Sequence, residues 1–416
     1  MKLLRLVLMG PPVLALIAWG CAAIWFDGPV SRPLAGGLAG AFAIASLGTL
    51  AGLRPRRRAL LMFGVLFAVV AGWWLSIRPS NDRGWEPSVA QLPRATFQGD
   101  LVRIQNLRNF DYRSEQDFDE IWETRSYDLS KLEGADIFLS YWGSPWIAHT
   151  IMSWAFEDGS HLAISIETRR ESHESYSALL GFFRHYELYY VVSDERDVVR
   201  VRTNYRGEDV YLYRLKTTRE AARNVLIDYL ETINELAEEP RWYNALLHNC
   251  TTMIRYHIQN VAPANPWNWR ILVNGKLDEL GYMRGNIDTS LPFEELRRRS
   301  AIAATARAIE DTSEFSRRIR EGLPGFEESS DLLGDGADGV APEAGVSTHA
   351  DVDLTRVVSC DDRGCLHPDF DRAVGWDIRH QLKALRVVDR DMEAVAERWI
   401  HGSDGHTLHI GIVDVE

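Results

Sequence analysis

Ala148-His-Thr-Ile-Met-Ser-Trp-Ala-Phe-Glu-Asp-Gly-Ser-His-Leu-Ala-Ile-Ser-Ile-Glu-Thr-Arg169 contains two β-like runs, 148 to 156 and 161 to 169, around Glu157-Asp158-Gly159. Turn length decides what this stretch builds. A two-residue turn sets Met152 against Ser165 and Phe156 against His161, which mixes the faces. A three-residue turn, with Gly159 in the left-handed position of a bulge, sets Met152 against Ile164, Trp154 against Leu162 and Thr150 against Ile166. One side then forms apolar core. The other side carries His149 against Glu167, Ile151 against Ser165 and Ser153 against Ala163. The register that makes a core thus puts a carboxylate beside a histidine.

A second stretch supplies a nucleophile. In Tyr243-Asn-Ala-Leu-Leu-His-Asn-Cys-Thr-Thr-Met-Ile-Arg-Tyr-His257, a polar cluster from His248 to Thr252 runs into Met253, Ile254 and Ile258. That reads as a loop entering a helix with one apolar face, ending near Gln259. A cysteine at such a junction meets unpaired amide N–H groups and the positive end of the helix dipole, which favour thiolate. The competing reading of Cys250 is a buried structural cysteine. With His149 as base and Glu167 as orienting acid, or His161 as the alternative histidine, the parts of a thiol nucleophile site are present. The histidine precedes the cysteine, the reverse of the papain order.

The surrounding chain sets the context. Three apolar stretches, roughly Leu3 to Phe26, Leu34 to Leu53 and Ala59 to Ile77, each approach the ~20 residues needed to cross a bilayer. Lys2, Arg5 and the Arg54-Pro-Arg-Arg-Arg58 run flank the ends that stay in the cytoplasm, so the amino terminus is expected inside and everything after Arg78 outside. Residues 1–78 are therefore read as a membrane region and 79–97 as a linker. A soluble domain is expected over 98–321, with strands near Leu101–Ile104, 136–142, 187–192, 197–202 and 210–215. Asp117 to Glu123 reads as a short helical or irregular piece. Thr217-Thr-Arg-Glu220 opens an amphipathic helix whose apolar residues run from Ala222 to Ile233. Leu291 to Gly322 reads as one charged helix. Residues 322–351, rich in Gly, Asp and Glu, are expected to be disordered, and 352–416 to form a small extension.

The net charge of −13 over 416 residues argues against a nucleic-acid partner. Four cysteines are too few for a disulfide scaffold, although Cys360 and Cys365 are close enough in sequence to pair. No cofactor is expected. His401, His406 and His409 have no spacing that fixes a metal site, and none is assigned.

Asp136-Ile-Phe-Leu-Ser-Tyr-Trp142, Ala148-His-Thr150, Ser165-Ile-Glu-Thr-Arg169, Asp194-Glu-Arg-Asp197, Arg202-Thr-Asn204 and Asn249-Cys-Thr-Thr252, in that order, resemble the Lnb-type N-terminal periplasmic domain family over roughly residues 98 to 290. The resemblance implies an α+β architecture: three transmembrane helices, then a circularly permuted papain-like (NlpC-type) domain in the periplasm, then a partly disordered tail. It implies a cysteine acyltransferase of the bacterial inner membrane that moves an acyl chain from phospholipid to an amine such as a lipoprotein amino terminus. Cys250 is then the acyl-accepting nucleophile and His149 the base. Ser165 and Asn249 are supporting candidates, Asn249 as a possible oxyanion donor. Trp142, Arg169 and Arg202 are candidates for holding substrate, Arg170 and Arg206 being related phosphate-binding choices. The competing reading pairs these arginines with Glu187, Glu195 and Asp197. A thiol hydrolase of the envelope and a non-catalytic envelope binding domain remain as alternatives. The three spans and the residues beyond about 325 have no counterpart in the namesake.

Overall fold

A computed structural model of the chain describes residues 2–28, 31–262, 266–309 and 313–326. The expectations for 327–351, for the extension 352–416, for the Cys360–Cys365 pair and for the three late histidines lie outside the described residues.

Three helices open the chain: α1 (Lys2–Asp27), α2 (Arg32–Gly52) and α3 (Arg56–Ser76). Each contains a window long and apolar enough to cross a membrane. They pack through Ile17, Ile24, Phe42 and Phe63, with Trp19 edge-on to Trp74.

The soluble part follows as β1 (Arg94–Gln98), β2 (Leu101–Arg108), the small pair β3 (Asp111–Tyr112) and β4 (Phe118–Asp119), β5 (Trp122–Asp128), β6 (Leu132–Tyr141), β7 (Ala148–Phe156), β8 (His161–Arg169) and β9 (Glu187–Ser193). After these come α4 (Glu195–Val198), β10 (Asp209–Arg214), α5 (Arg219–Glu238), α6 (Cys250–Val261), α7 (Leu277–Met283), α8 (Phe293–Arg299), α9 (Ala303–Ala308) and α10 (Phe315–Arg318). Eight strands form one sheet, in the order β1-β2-β9-β8-β7-β6-β10 with β5 paired to β2. Only the β2–β9 contact is parallel. The result is a mixed α/β domain behind three membrane helices.

The hairpin has the expected register. Met152 pairs with Ile164, Trp154 with Leu162, and Ile151 with Ser165. Gly159 adopts φ +79°, the left-handed conformation that a three-residue turn demands. Phe156 N–H donates to Ser160 O, closing the turn.

Both faces of the central sheet are covered, so the strands read as nearly continuous buried runs. On one face Met152, Trp154, Ile164 and Tyr190 meet Leu226, Tyr229 and Leu230 of α5 and Met253 and Ile254 of α6. On the other, Phe138, Ile151, Ala163 and Val191 meet Val198, Ile302, Ala306, Phe315 and Ile319. The single charged helix expected over Leu291 to Gly322 is instead α8, α9 and α10. Its continuity breaks at Ser300–Ile302, where the backbone leaves helical geometry to bond β10: Leu212 N–H donates to Ser300 O and Ile302 N–H to Val210 O. Arg320 anchors this cover from within. Its guanidinium lies 2.6 Å from Glu195 Oε1 and 2.7 Å from Asp136 Oδ2, with all three residues buried.

Three further expectations change. Of residues 79–97, read as linker, 94–97 belong to β1 and the segment before them packs on the domain: Asn81 Nδ2 donates to Leu236 O of α5, and Val89 is buried against the sheet. Asp117–Glu123 yields β4 and the start of β5. The run from Asp197 to Arg202 turns helical rather than extended, because the Asp194 side chain accepts from Arg196 N–H and caps α4, and a π-helical turn follows at Val201–Tyr205.

The soluble domain rests on the ends of the membrane helices. Asp27 Oδ2 accepts from Trp74 Nε1 at 2.6 Å and from Arg184 N–H at 3.0 Å. Arg184 Nη1 donates to Leu75 O and Ile77 O, its guanidinium lies over Trp74, and Phe183 packs against Phe26.

Candidate active site

Helix α6 begins at Cys250. Asn249 caps it reciprocally: Asn249 Oδ1 accepts from Thr252 N–H at 2.9 Å, and Thr252 Oγ1 accepts from Asn249 N–H at 3.0 Å. Fully buried His257, two turns on, fixes the helix laterally. Its Nδ1 lies 2.6 Å from Asp228 Oδ2 on α5 and its Nε2 lies 2.7 Å from Tyr190 OH on β9. The sulfur therefore sits at a defined height above the sheet, at the positive end of the helix.

The β7–β8 ladder ends at Ile151–Ser165. Beyond it lie His149 and Thr150 on one strand and Glu167 on the other, and the start of α6 lies against them. Cys250 is 6% exposed; its sulfur lies 3.8 Å from the Thr251 hydroxyl and close enough to His149 and the Thr150 N–H to feel both. Asn274 Nδ2 approaches Sγ to 3.7 Å and donates to Thr251 Oγ1 at 3.2 Å, while its Oδ1 accepts from Ala148 N–H.

His149 Nε2 lies 2.6 Å from Ser165 Oγ, and that hydroxyl donates to Glu167 Oε1 at 2.8 Å. Because the hydroxyl proton goes to the carboxylate, Nε2 is the ring nitrogen that carries hydrogen in the neutral imidazole. Nδ1 is left as the proton acceptor for the thiol. Glu167 is held in turn by Arg202 Nη2 at 2.8 Å.

Electrostatics follow this geometry. Burial pushes the Cys250 thiol up, but the hydrogen bond and charge of His149, with Thr150 N–H and Thr251, bring it down to about 7. Burial and the nearby Arg202 disfavour protonated His149, yet Glu167 and the Cys250 hydrogen bond outweigh them and raise it above the usual histidine value. Glu167 stays well below the ordinary carboxylate range: burial works against ionisation, and His149 and then Arg202 override it. A thiolate–imidazolium pair backed by a carboxylate can attack an acyl carbon and return a proton to a leaving group.

Two cavities flank this centre. One, of about 400 Å³, is polar and lined by His149, Glu167, Arg202, Trp142, Tyr176 and Tyr243 among others. The other, of about 320 Å³, is apolar and lies between the sheet and α6–α7, lined by Met152, Trp154, Ile254, Ile258 and Leu280 with Thr251 in its wall. Among the described residues no cluster of three His, Cys, Asp or Glu side chains is arranged to hold a metal ion.

The structure thus brings Cys250, His149, Ser165, Glu167 and Trp142 into one neighbourhood and leaves others out. His161, the alternative histidine, pairs with Ala155, six residues along the ladder from His149 and so roughly 20 Å away. Arg169, expected to hold substrate, is buried and spends its donors on Val89 O, Ala90 O and Asn81 Oδ1, under Trp85. Arg202 is near the site but not available as a phosphate clamp: it pairs with Glu167 and Glu208, not with Glu187, Glu195 or Asp197. Arg170 pairs with Glu86 and Arg206 with Glu115. Asn249 is a helix cap whose Nδ2 donates to Ala245 O, so its amide is committed. The amide that reaches the sulfur is Asn274, which sequence reading missed. Only the Asn-Gly pair at 274–275 marks it, and Gly275 is required there because a Cβ would stand 2.4 Å from the Trp146 carbonyl carbon.

No curated protein and no solved structure matches this chain. A family model does: residues 118–275 match the Lnb N-terminal periplasmic domain, a span that contains every side chain of the centre described above. A strand-borne His149 with Glu167, a helix-borne Cys250 and three helices long and apolar enough to cross a membrane thus occur in a chain whose residues 118–275 match the Lnb N-terminal periplasmic domain family.

Proposed function

We propose that the protein is a membrane-anchored cysteine acyltransferase of the cell envelope, with a permuted papain-like arrangement of its site. The carrying observation is geometric: the Cys250 thiol stands at the start of α6 beside His149, whose imidazole is backed by Ser165, Glu167 and Arg202. The thiolate attacks the ester carbonyl of a membrane phospholipid. The oxyanion that forms has two donors at hand, the Cys250 N–H, which has no acceptor within the helix, and the Asn274 amide. Collapse breaks the ester C–O bond, the leaving alkoxide takes the proton from His149, and lysophospholipid departs. Cys250 is left as a thioester. An amine, such as a lipoprotein amino terminus, then attacks the thioester while His149 accepts its proton. The new amide leaves and the thiol is restored. Glu167 and Ser165 hold the imidazole in the required tautomer throughout.

The largely apolar cavity whose wall includes Thr251, the residue after the nucleophile, supports an acyl substrate, since its apolar walls suit a hydrocarbon chain. The arginine-rich flanks of the membrane helices support an orientation with the amino terminus in the cytoplasm and the domain in the periplasm of the inner membrane. No cofactor enters the scheme.

Mass spectrometry of the full-length protein after incubation with phospholipid vesicles tests it. The expected result is an acyl mass on Cys250, discharged by an added amine-bearing peptide and missing in Cys250→Ser. Acyl release to water with the peptide left unmodified would replace the transferase by a hydrolase. No adduct, together with full biological activity of Cys250→Ala and His149→Ala, would remove catalysis altogether.

A further inference from the structure

Two loops that wall the polar cavity carry large apolar side chains with nothing packed over them. Residues 175–183 contain Tyr176, Leu179 and Phe182, and residues 243–247 contain Leu246 and Leu247; these five are 41–62% exposed. Neither segment has a charged residue. The loops form one unit, since Ala245 N–H donates to Gly181 O at 2.7 Å and a Cβ at Gly181 would meet the Tyr243 ring at 3.3 Å.

Their place in the fold identifies what covers them. The first loop runs without interruption into Phe183 and Arg184, which contact Phe26 of α1 and the carbonyls of Leu75 and Ile77 at the end of α3. Trp242, next to the second loop, donates to Ile77 O. The exposed leucines and Phe182 therefore lie within a few residues of the points where the membrane helices end. In water such a patch is costly at roughly 25 cal/mol per Å² of apolar surface, whereas at the edge of a bilayer it is favourable. Aromatic side chains such as Tyr176 and Trp242 suit the boundary beside it.

We infer that the tips at Leu179–Phe182 and Leu246–Leu247 insert into the same bilayer that holds α1–α3, at the level where headgroups meet acyl chains. Leu247 precedes Cys250 by three residues, and Tyr176 and Tyr243 wall the cavity that holds His149. The inserted tips thus open the centre toward lipid headgroups and not toward bulk water. This holds whether or not the sulfur transfers an acyl group.

A photo-reactive p-benzoylphenylalanine placed at Leu179 or Leu247 of the full-length protein, in vesicles of phosphatidylethanolamine and phosphatidylglycerol, tests it. Leu101 is the control. It too is an exposed leucine, at 44%, beside the Asp100 that binds Arg223 at the first turns of α5, whereas the membrane ends lie beyond that helix's last turn. All three positions face outward, so folding is unaffected by the probe. The expected result is several-fold more lipid-adducted peptide at 179 and 247 than at 101. Lipid adduct no greater than at 101, or cross-links to a second copy of the chain in its place, would overturn the insertion.

Discussion

The imidazole of His149 meets the carboxylate of Glu167 through the Ser165 hydroxyl: Nε2 lies 2.6 Å from Oγ but 3.4 Å from Oε1. The relay sets both the tautomer and the charge of the histidine, and the Cys250 thiol inherits the result. The alkylation rate of Cys250, followed by peptide mass as a function of pH, should therefore rise with a midpoint of about 7. In His149→Ala burial is left with much weaker opposition, so the midpoint should move upward by more than one unit. An unchanged midpoint would mean that the imidazole does not govern the sulfur.

Glu167→Gln keeps an acceptor for Ser165 but removes the charge. Protonated His149 is then less favoured, its titration falls, and the thiolate it stabilises becomes harder to form. The Cys250 midpoint should rise, by less than in His149→Ala, and turnover near neutral pH should drop. The pH–rate profile separates this from a folding defect, because a merely damaged protein loses amplitude without shifting its midpoint.

Asn274 Nδ2 comes within 3.7 Å of the sulfur and is not part of the His149–Ser165–Glu167 relay. If its amide steadies the developing oxyanion, Asn274→Ala should lower acyl-transfer rate by roughly 10²–10³-fold. The alkylation midpoint of Cys250 should scarcely move. Equal losses in rate and in thiolate formation would instead assign it to positioning Thr251 and Ala148.

Arg320 is shared by Asp136 and Glu195 on the covered second face of the sheet. Arg320→Leu leaves buried Glu195 without its cation, while Asp136 keeps Arg214 at 2.7 Å; the loss should cost about 3–5 kcal/mol, read as a lowered thermal midpoint. Glu195 is held down to about 2 by Arg320 against the effect of burial. Its depressed value contributes stability that is complete above the usual carboxylate range. That part is lost as pH falls from about 4.5 toward 2, and the loss should be shallower in the variant.

How far the chain could be read beforehand depended on whether local rules were in control. The hairpin register was legible because Gly159 and the alternation of Met152, Trp154, Leu162 and Ile164 admit one turn length. From it came the meeting of His149 and Glu167; the register set Ser165 against Ile151 and did not show that its hydroxyl would bridge the two. The start of α6 at Cys250 followed from polar-to-apolar patterning. What failed was long-range. Nothing near Arg169 in sequence announces that Val89 and Ala90 will take its donors, nor does anything near Arg202 announce Glu167, 35 residues earlier, as its partner. The break at Ser300–Ile302 arises because β10 offers an open edge, a property of the assembled sheet. Asn274 enters the centre from a segment with no periodicity at all.

The turn at Glu157–Gly159 lies far from the sulfur, yet it fixes which way His149 points. Adding or deleting one residue there would slip one strand against its neighbour by half a pleat repeat and send its side chains to opposite faces. The imidazole would then lie among the leucines of α5, with every reactive group still encoded in the chain. The tip should accept changes of composition freely, provided position 159 stays glycine. It should reject any change of length, so relatives that keep the chemistry are expected to keep the spacing from histidine to glycine even where the intervening residues differ.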